Sequence, residues 1–223
     1  MSYPVYQVAI DGPSGAGKST VAKRIARELG IDYIDTGAMY RAIGFKMLNN
    51  DVRVDNADKL NELLDQTTVD FTDGQIILDG EPVNAVIRTP EVTKMASVCS
   101  AVPAVREKLV SLQREMGQHK SVIMDGRDIG TNVFKDSRFK YFITASVDER
   151  ATRRYRELKL KDSATKYEDV KKDIEKRDLD DSTRKLNPLA MADDAKEIDT
   201  TGLGIIEVTE LILNDIKERI CQQ

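Results

Sequence analysis

The sequence is short of several residue types, and each shortage closes a class of function. One histidine, His119, occurs in 223 residues. It lies in Gly117-Gln118-His119-Lys120, a string that reads as a loop, where a lone histidine is far more often solvated than catalytic. The two cysteines, Cys99 and Cys221, are far apart and fit no CxxC spacing. No zinc cluster can be built from that inventory. Unpaired cysteines suit a reducing compartment, so a cytoplasmic location is expected. There is no basic excess: 34 Lys and Arg face 38 Asp and Glu, for a net charge of −4. A general nucleic-acid binder would usually carry such an excess, so no nucleic-acid partner is expected. No apolar run approaches the roughly 18 residues of a spanning helix, so no membrane partner is expected. Met1-Ser2-Tyr3-Pro4 runs straight into the first apolar stretch, so no secretory leader is expected. Internal repeats and low-complexity linkers are also missing. The remaining composition, 40% hydrophobic and 32% charged, fits a soluble globular chain with room for inserted parts.

What is present centres on Gly12-Pro13-Ser14-Gly15-Ala16-Gly17-Lys18-Ser19, followed by Thr20. This is GxxxxGK[ST]. The apolar run from Tyr6 to Ile10 before it reads as a buried strand. Val21, Ala22, Ile25, Ala26 and Leu29 after it recur at helical spacing, and Gly30 stands where a helix C-cap would. The motif thus has the strand–loop–helix setting that its chemistry needs. Glycines let the loop wrap with its N–H groups inward, making a nest for phosphate oxygens. The helix adds its positive end. Lys18 can reach terminal phosphates and the Ser19 hydroxyl can ligate Mg²⁺, directly or in part through water. A Gly-rich turn with an accidental lysine would not require the flanking strand and helix.

Further along, residues 31–35 read as a second strand; Thr36 to Arg41 follow, and then a helix runs to about Leu48. Residues 55–66 read as another helix. From Val69 to Val83 the period changes, and two Asp-Gly turns between apolar stretches predict a small antiparallel meander. Helices are expected to start near Pro90 and Pro103. Residues 121–125 and 139–144 read as buried strands. A basic helix from about Val147 carries Arg150, Arg153, Arg154, Arg156, Lys159 and Lys161, and a second charged helix spans about 167–181. A short strand at 197–199 and a closing helix over 205–220 complete the chain. Strands alternating with helices imply an α/β fold with a mostly parallel sheet covered on both faces.

Asp125-Gly126-Arg127-Asp128 also follows an apolar strand. In open α/β sheets ligands bind beyond the carboxyl ends of strands, so this loop and the glycine loop could face one cleft. A carboxylate there can hold Mg²⁺ or its waters and an arginine can grip phosphate. A turn held by Asp–Arg pairing is the plainer reading. The arginines of 150–184 can likewise be a solvated face with i,i+4 pairs such as Asp173–Arg177, or cations gathered for nucleotides.

These segments together resemble the bacterial cytidylate kinases, a branch of the P-loop nucleoside monophosphate kinases. The resemblance runs nearly end to end. It is carried by residues 10–18, Asp35-Thr36-Gly37-Ala38-Met39-Tyr40-Arg41, Ile87-Arg88-Thr89, residues 125–131, and the stretch from Arg177 to Arg184. It implies a P-loop three-layer α/β fold in which residues 1–35, 118–149 and 185–223 form the core. Residues 36–117, with the hairpin insert at about 68–88, would bind the nucleoside monophosphate, and 150–184 would form a helical lid. The implied reaction moves the γ-phosphoryl group of ATP to CMP or dCMP, in a monomer, with Mg²⁺ as cofactor. By resemblance, Thr36, Arg41 and Arg127 contact the acceptor phosphate, and Thr36 stands where serine is frequent in the family. Ser97, Arg106 and Asp128 recognise cytosine, Arg177 and Asp181 contact the pentose, and Arg184 binds phosphate. Lys18, Arg127, Arg153 and Arg184 would stabilise the transferring group. Another small-molecule P-loop kinase, acting on UMP or shikimate, is the nearest rival. A GTPase-like switch would be expected to show NKxD, and Thr165-Lys166-Tyr167-Glu168 lacks both its asparagine and its aspartate.

Overall fold

The computed structural model describes residues 5–72, 74–160 and 162–222. Residues 1–4, Asp73 of the first Asp-Gly turn and Lys161 of the basic stretch lie outside the described residues, as does Gln223. Strand β1 (Gln7–Asp11) leads through the glycine loop into α1 (Lys18–Leu29), then β2 (Asp32–Asp35) and α2 (Thr36–Asn49). Helix α3 (Ala57–Asp65) precedes three short strands, β3 (Val69–Thr72), β4 (Gln75–Leu78) and β5 (Glu81–Pro82). Helices α4 (Pro90–Cys99) and α5 (Pro103–Met116) return the chain to β6 (Val122–Gly126). A π-helical turn (Ile129–Val133) and β7 (Phe139–Thr144) follow, then α6 (Val147–Lys159), α7 (Tyr167–Thr183), β8 (Lys196–Asp199) and α8 (Ile205–Cys221).

The central sheet has the order β2-β6-β1-β7-β8 and every pairing in it is parallel. Its two faces follow from period-two alternation. Val8 and Ile10 of β1 pack with Val21, Ala22 and Ile25 of α1 and with Val208, Ile212 and Ile216 of α8. Ala9, between them, packs with Met39, Ala42 and Ile43 of α2 and Leu109 of α5. In β6, Ile123 joins the first group, while Val122 and Met124 join the second. Each large side chain buried this way contributes on the order of 2 kcal/mol. The expected three-layer α/β architecture is therefore present.

The helix boundaries follow local rules. Gly30 ends α1 at φ 65°, a left-handed C-cap. Thr89 accepts the Val92 N–H at 3.2 Å, with Pro90 at the first helical position of α4. The small antiparallel sheet β3-β4-β5 is the meander expected from the Asp-Gly turns. Asp79 and Gly80 sit at φ 51° and 87°, the positive values of a type I′ hairpin turn, and Leu78 pairs with Glu81 across it.

Two local features depart from the sequence reading. Helix α2 starts at Thr36 itself, because the Asp35 carboxylate caps it by accepting the Ala38 N–H at 2.8 Å. The π-helical turn has no sequence signal. Its first N–H groups, of Ile129 and Gly130, are taken by the Asp11 carboxylate at 2.8 and 2.7 Å, a bridge across 118 residues or more.

Register sets the site. Ile10 of β1 and Asp35 of β2 both pair with Asp125 of β6, and Asp11 pairs with Gly126. The carboxyl ends of three neighbouring strands thus stop level, delivering Asp11, Asp35 and Asp125 to one edge of the sheet.

Candidate active site

The glycine loop leaves β1 between β6 and β7, where backbone must pass very close to backbone. Gly12 has φ 145°, and a Cβ there would collide with the Ile143 carbonyl oxygen. Lys18 opens α1 and is 5% exposed. Its ammonium turns back to donate to the Pro13 carbonyl at 2.7 Å. Burial lowers its proton affinity and nearby Arg127 lowers it further, against the opposing pull of Asp125, Asp11 and Asp181. Ser19 donates to Asp125 at 2.7 Å, and Tyr33 donates to the other Asp125 oxygen at 2.6 Å. Burial pushes the Asp125 carboxyl up, Asp35 pushes it further, and Lys18 opposes. Burial, followed by the charge of Asp125, raises the Tyr33 phenol well above its ordinary value, so it stays a donor. Ser19 and Asp125 form a compact set of hard oxygen ligands of the kind Mg²⁺ selects.

A second group assembles from five separate segments. Asp128, at the start of the π turn, accepts Arg106 of α5 at 2.5 Å on one oxygen and Arg184, at the end of α7, at 3.0 Å on the other. Asn132 adds a third hydrogen bond at 3.0 Å. Arg106 also donates to the Ser100 carbonyl at 3.2 Å and lies 5.7 Å from the centre of the Tyr40 ring. Arg127 donates to Asp181 at 2.6 Å. Burial raises the Asp181 carboxyl, but Arg127, Arg184 and Arg177 outweigh it and hold the group below its ordinary value. Arg41 pairs with Asp35 at 2.9 Å, and Arg88 joins at 3.3 Å. Burial, then the positive charges of Arg127, Arg154 and Arg41, pull Arg177 down against Asp181. The Nε groups of Arg41, Arg106 and Arg177 are buried and make no hydrogen bond to any described residue. Buried donors of that kind cost free energy unless an acceptor meets them, and strong anionic acceptors meet guanidinium best.

A family model described as cytidylate kinase matches residues 8–218. The chain belongs to the cytidylate kinase family. The cytidylate kinase of Clostridium perfringens (strain ATCC 13124) is 50% identical over 205 residues, covering 92% of this chain and 94% of the relative. That of Streptococcus pneumoniae (strain 70585) is 48% identical over 219 residues, covering 96% and 98%. Among solved structures, a shikimate kinase from Acinetobacter baumannii in complex with shikimate aligns over 97% of this chain and 96% of its own. Its TM-score is 0.50 at 15% identity, a likeness of fold.

Of the residues expected from the cytidylate kinase resemblance, the structure links Arg106, Asp128, Arg184, Asp181 and Arg127 by ion pairs, with Arg177 and Arg41 nearby. Three further expected residues have other partners in the structure. Thr36 is 3% exposed and donates its hydroxyl to the Asp125 carbonyl at 2.7 Å. Ser97 enters the local hydrogen bonds through its carbonyl, which accepts the Ser100 hydroxyl at 2.8 Å, and it is Ser100 that contacts Arg106. Arg153 is held by Glu149 at 2.9 Å and by the Thr200 hydroxyl and carbonyl at 3.0 and 2.8 Å, close by Gly17. Three arginines of α6 are partnered: Arg150 with Asp178, Arg153 with Glu149 and Arg154 with Glu157. No Asp173–Arg177 ion pair forms among the described residues; the charges that act on Arg177 are those of Arg127, Asp181, Arg154 and Arg41. Sequence reasoning missed Asp11, Tyr33, Asn132 and Asp178. Only Asp11 carried a signal, as a charge ending an otherwise apolar strand.

Proposed function

We propose that this chain transfers the γ-phosphoryl group of ATP to CMP or dCMP, giving ADP and CDP or dCDP. The observation that carries the reading is the trio of buried, unpartnered Nε groups on Arg41, Arg106 and Arg177, set beside a complete phosphate-binding loop. The loop from Gly12 to Thr20 receives the ATP phosphates. Arg41, Arg127 and Arg184 hold the acceptor phosphate, with Thr36 bracing the Asp125 backbone beneath it. Arg177 and Asp181 take the pentose. Asp128 and Arg106, with Ser97 and Ser100 at the end of α4, read the cytosine edge, whose amino donor faces a carboxylate and whose O2 and N3 accept from guanidinium and hydroxyl.

The acceptor is an anion already, so no strong general base is needed. The barrier is repulsion between two anions and the placing of one oxygen in line with the γ-phosphorus. Lys18 moves from the Pro13 carbonyl to the transferring group, and Arg127, Arg153 and Arg184 neutralise its equatorial charge. Ser19, with Asp125 taking its water ligands, would hold Mg²⁺, which would supply positive charge to offset that of the phosphates. Asp125 is oriented for that by Tyr33. Residues 150–184 act as a lid that excludes water from the transfer. Their support is a small core of Ala151, Val170 and Ile174 with Val147, Tyr155, Leu158 and Tyr167 partly buried against it, while Leu160 is 90% exposed. Such a core is cheap to open. The chain works as a monomer in the cytoplasm. Residues 36–117 form the acceptor-binding region on the core made by the remainder. Coupled ADP release from ATP across CMP, dCMP, UMP, AMP and shikimate tests the reading, with turnover expected on CMP and dCMP. Faster turnover on any of the other three overturns it.

A further inference from the structure

Helix α7 faces both halves of the site. Arg177 and Asp181, one turn apart, belong to the acceptor network. Asp178, about 100° around the helix from Arg177, turns to the glycine loop instead. One of its oxygens accepts the Ser14 N–H at 3.1 Å, and the other accepts the Arg150 guanidinium. Arg150 is itself buried. The same Nη1 donates to the Ser14 carbonyl at 3.1 Å, and its Nε donates to the Ala145 carbonyl at 2.9 Å. The loop also rests on Arg150, since a Cβ at Gly15 would lie 3.2 Å from the Arg150 Cβ.

Ser14 is therefore gripped on both flanking peptides, its N–H by Asp178 and its carbonyl by Arg150. In a planar trans peptide the C=O and the following N–H point in opposite directions. Drawing the Ser14 carbonyl outward to Arg150 turns the Gly15 N–H inward, toward the nest that receives phosphate oxygens. Asp178 closes this bracket, and it sits on the helix that also holds Arg177 and Asp181.

We propose that Asp178 is a positioning residue that couples the two nucleotide sites: an acceptor nucleotide that fixes α7 through Arg177 and Asp181 holds Asp178 on Ser14 and Arg150, and so keeps the glycine loop formed for ATP. The inference rests on the reading that CMP engages Arg177 and Asp181. Coupling of this kind is reciprocal, so ATP must tighten CMP by the same factor. A strut with no coupling role would weaken ATP binding equally whether or not CMP is present.

The test is calorimetric titration of the full chain with CMP and with the β,γ-imido analogue of ATP, each alone and each with the other saturating. In the native chain CMP is expected to tighten the analogue about tenfold, the scale of one hydrogen bond to a charged group. In Asp178→Ala, CMP alone should bind within about twofold of native, the analogue should weaken, and the coupling factor should fall close to one. Asp178→Asn keeps an acceptor for the Ser14 N–H and loses the charge facing Arg150, so its coupling should lie between the two. Thermal melts establish that each variant is folded. Coupling in Asp178→Ala equal to native overturns the inference, as does a native chain that binds both ligands independently. A native chain that binds the analogue but not CMP overturns the CMP assignment, and this inference with it.

Discussion

Replacing Asp128 tests the acceptor network where its charges are most deeply buried. The carboxylate is shared by Arg106 and Arg184, and all three side chains are at most 8% exposed. Removing one member of a buried ion pair leaves an uncompensated charge and costs ~3–5 kcal/mol. Arg184 can recover part of this through Asp181, 4.0 Å away, so the lower end applies to Asp128→Ala. For a chain of this size each kcal/mol lowers Tm by about 2–4 °C, so a fall of about 6–12 °C is expected. Binding should suffer separately. A cytosine amino group donating to the carboxylate is worth ~1.5–3 kcal/mol, which raises KM for CMP by about ten- to a hundredfold and leaves KM for ATP nearly unchanged. Asp128→Asn keeps an acceptor oxygen and adds a donor, so it should lose less stability and narrow the preference for CMP over UMP, whose ring presents a carbonyl there. Urea unfolding and steady-state kinetics on both variants supply the numbers. A destabilisation below about 1 kcal/mol in Asp128→Ala would mean that Asp128 does not hold the arginines. Equal rises in both KM values would refute base recognition.

Lys18→Ala should lower kcat by ~10² or more and weaken ATP binding less, because the ammonium meets charge that grows during transfer; a folded variant with near-native kcat would refute the role given to the loop. Tyr33→Phe removes the 2.6 Å bond that orients Asp125. A several-fold weaker Mn²⁺ affinity of the ADP complex, read by paramagnetic resonance, is expected, and unchanged affinity would count against Asp125 as the metal's outer ligand. Burial raises Asp11 to about 6 from an unfolded value of 3.8, against its two backbone N–H bonds. The folded state thus holds this proton more tightly, so the group's contribution to stability is full below pH 3.8 and is lost as pH rises through about 6. The stability advantage of native over Asp11→Asn should therefore shrink by up to ~3 kcal/mol between pH 4 and 7, measured by urea unfolding. A constant difference across that range would mean Asp11 titrates normally.

The elements legible in the sequence are those set by local chemistry. The glycine loop, the proline-started helices, the Asp-Gly hairpin and the buried strands all announce themselves within a dozen residues. Arg127, Asp128, Asp181 and Arg184 were legible by resemblance, and the structure brings them into one network. The π turn was not legible, because its leading N–H groups are satisfied by Asp11 from the other end of the core. Asp178 was hidden for a similar reason. On a helix with acidic and basic residues in every turn, composition cannot say which carboxylate faces the loop. Resemblance names Thr36 and Ser97 but not their neighbours' contacts: the Thr36 hydroxyl donates to the Asp125 carbonyl, and the Ser100 carbonyl accepts from Arg106, contacts that only the register of α2 and α4 sets.

Two polyanions call for cations, yet Asp35, Asp128, Asp178 and Asp181 stand among the arginines of the site. Desolvation explains the arrangement. A guanidinium buried without a counter-charge costs several kcal/mol, and the site needs several of them close together in the absence of substrate. Each carboxylate therefore holds one edge of its arginine and fixes the plane of the fork, which has five donors. On Arg41 and Arg106 the carboxylate takes Nη2 and the neighbouring Nε–H stays free to meet phosphate or base. The Nε of Arg177 on α7 is a third such free donor. Substrate anions then complete pre-set forks rather than displacing ion pairs. Little reorganisation remains for the moment of transfer, which is where electrostatic preorganisation has its effect on rate.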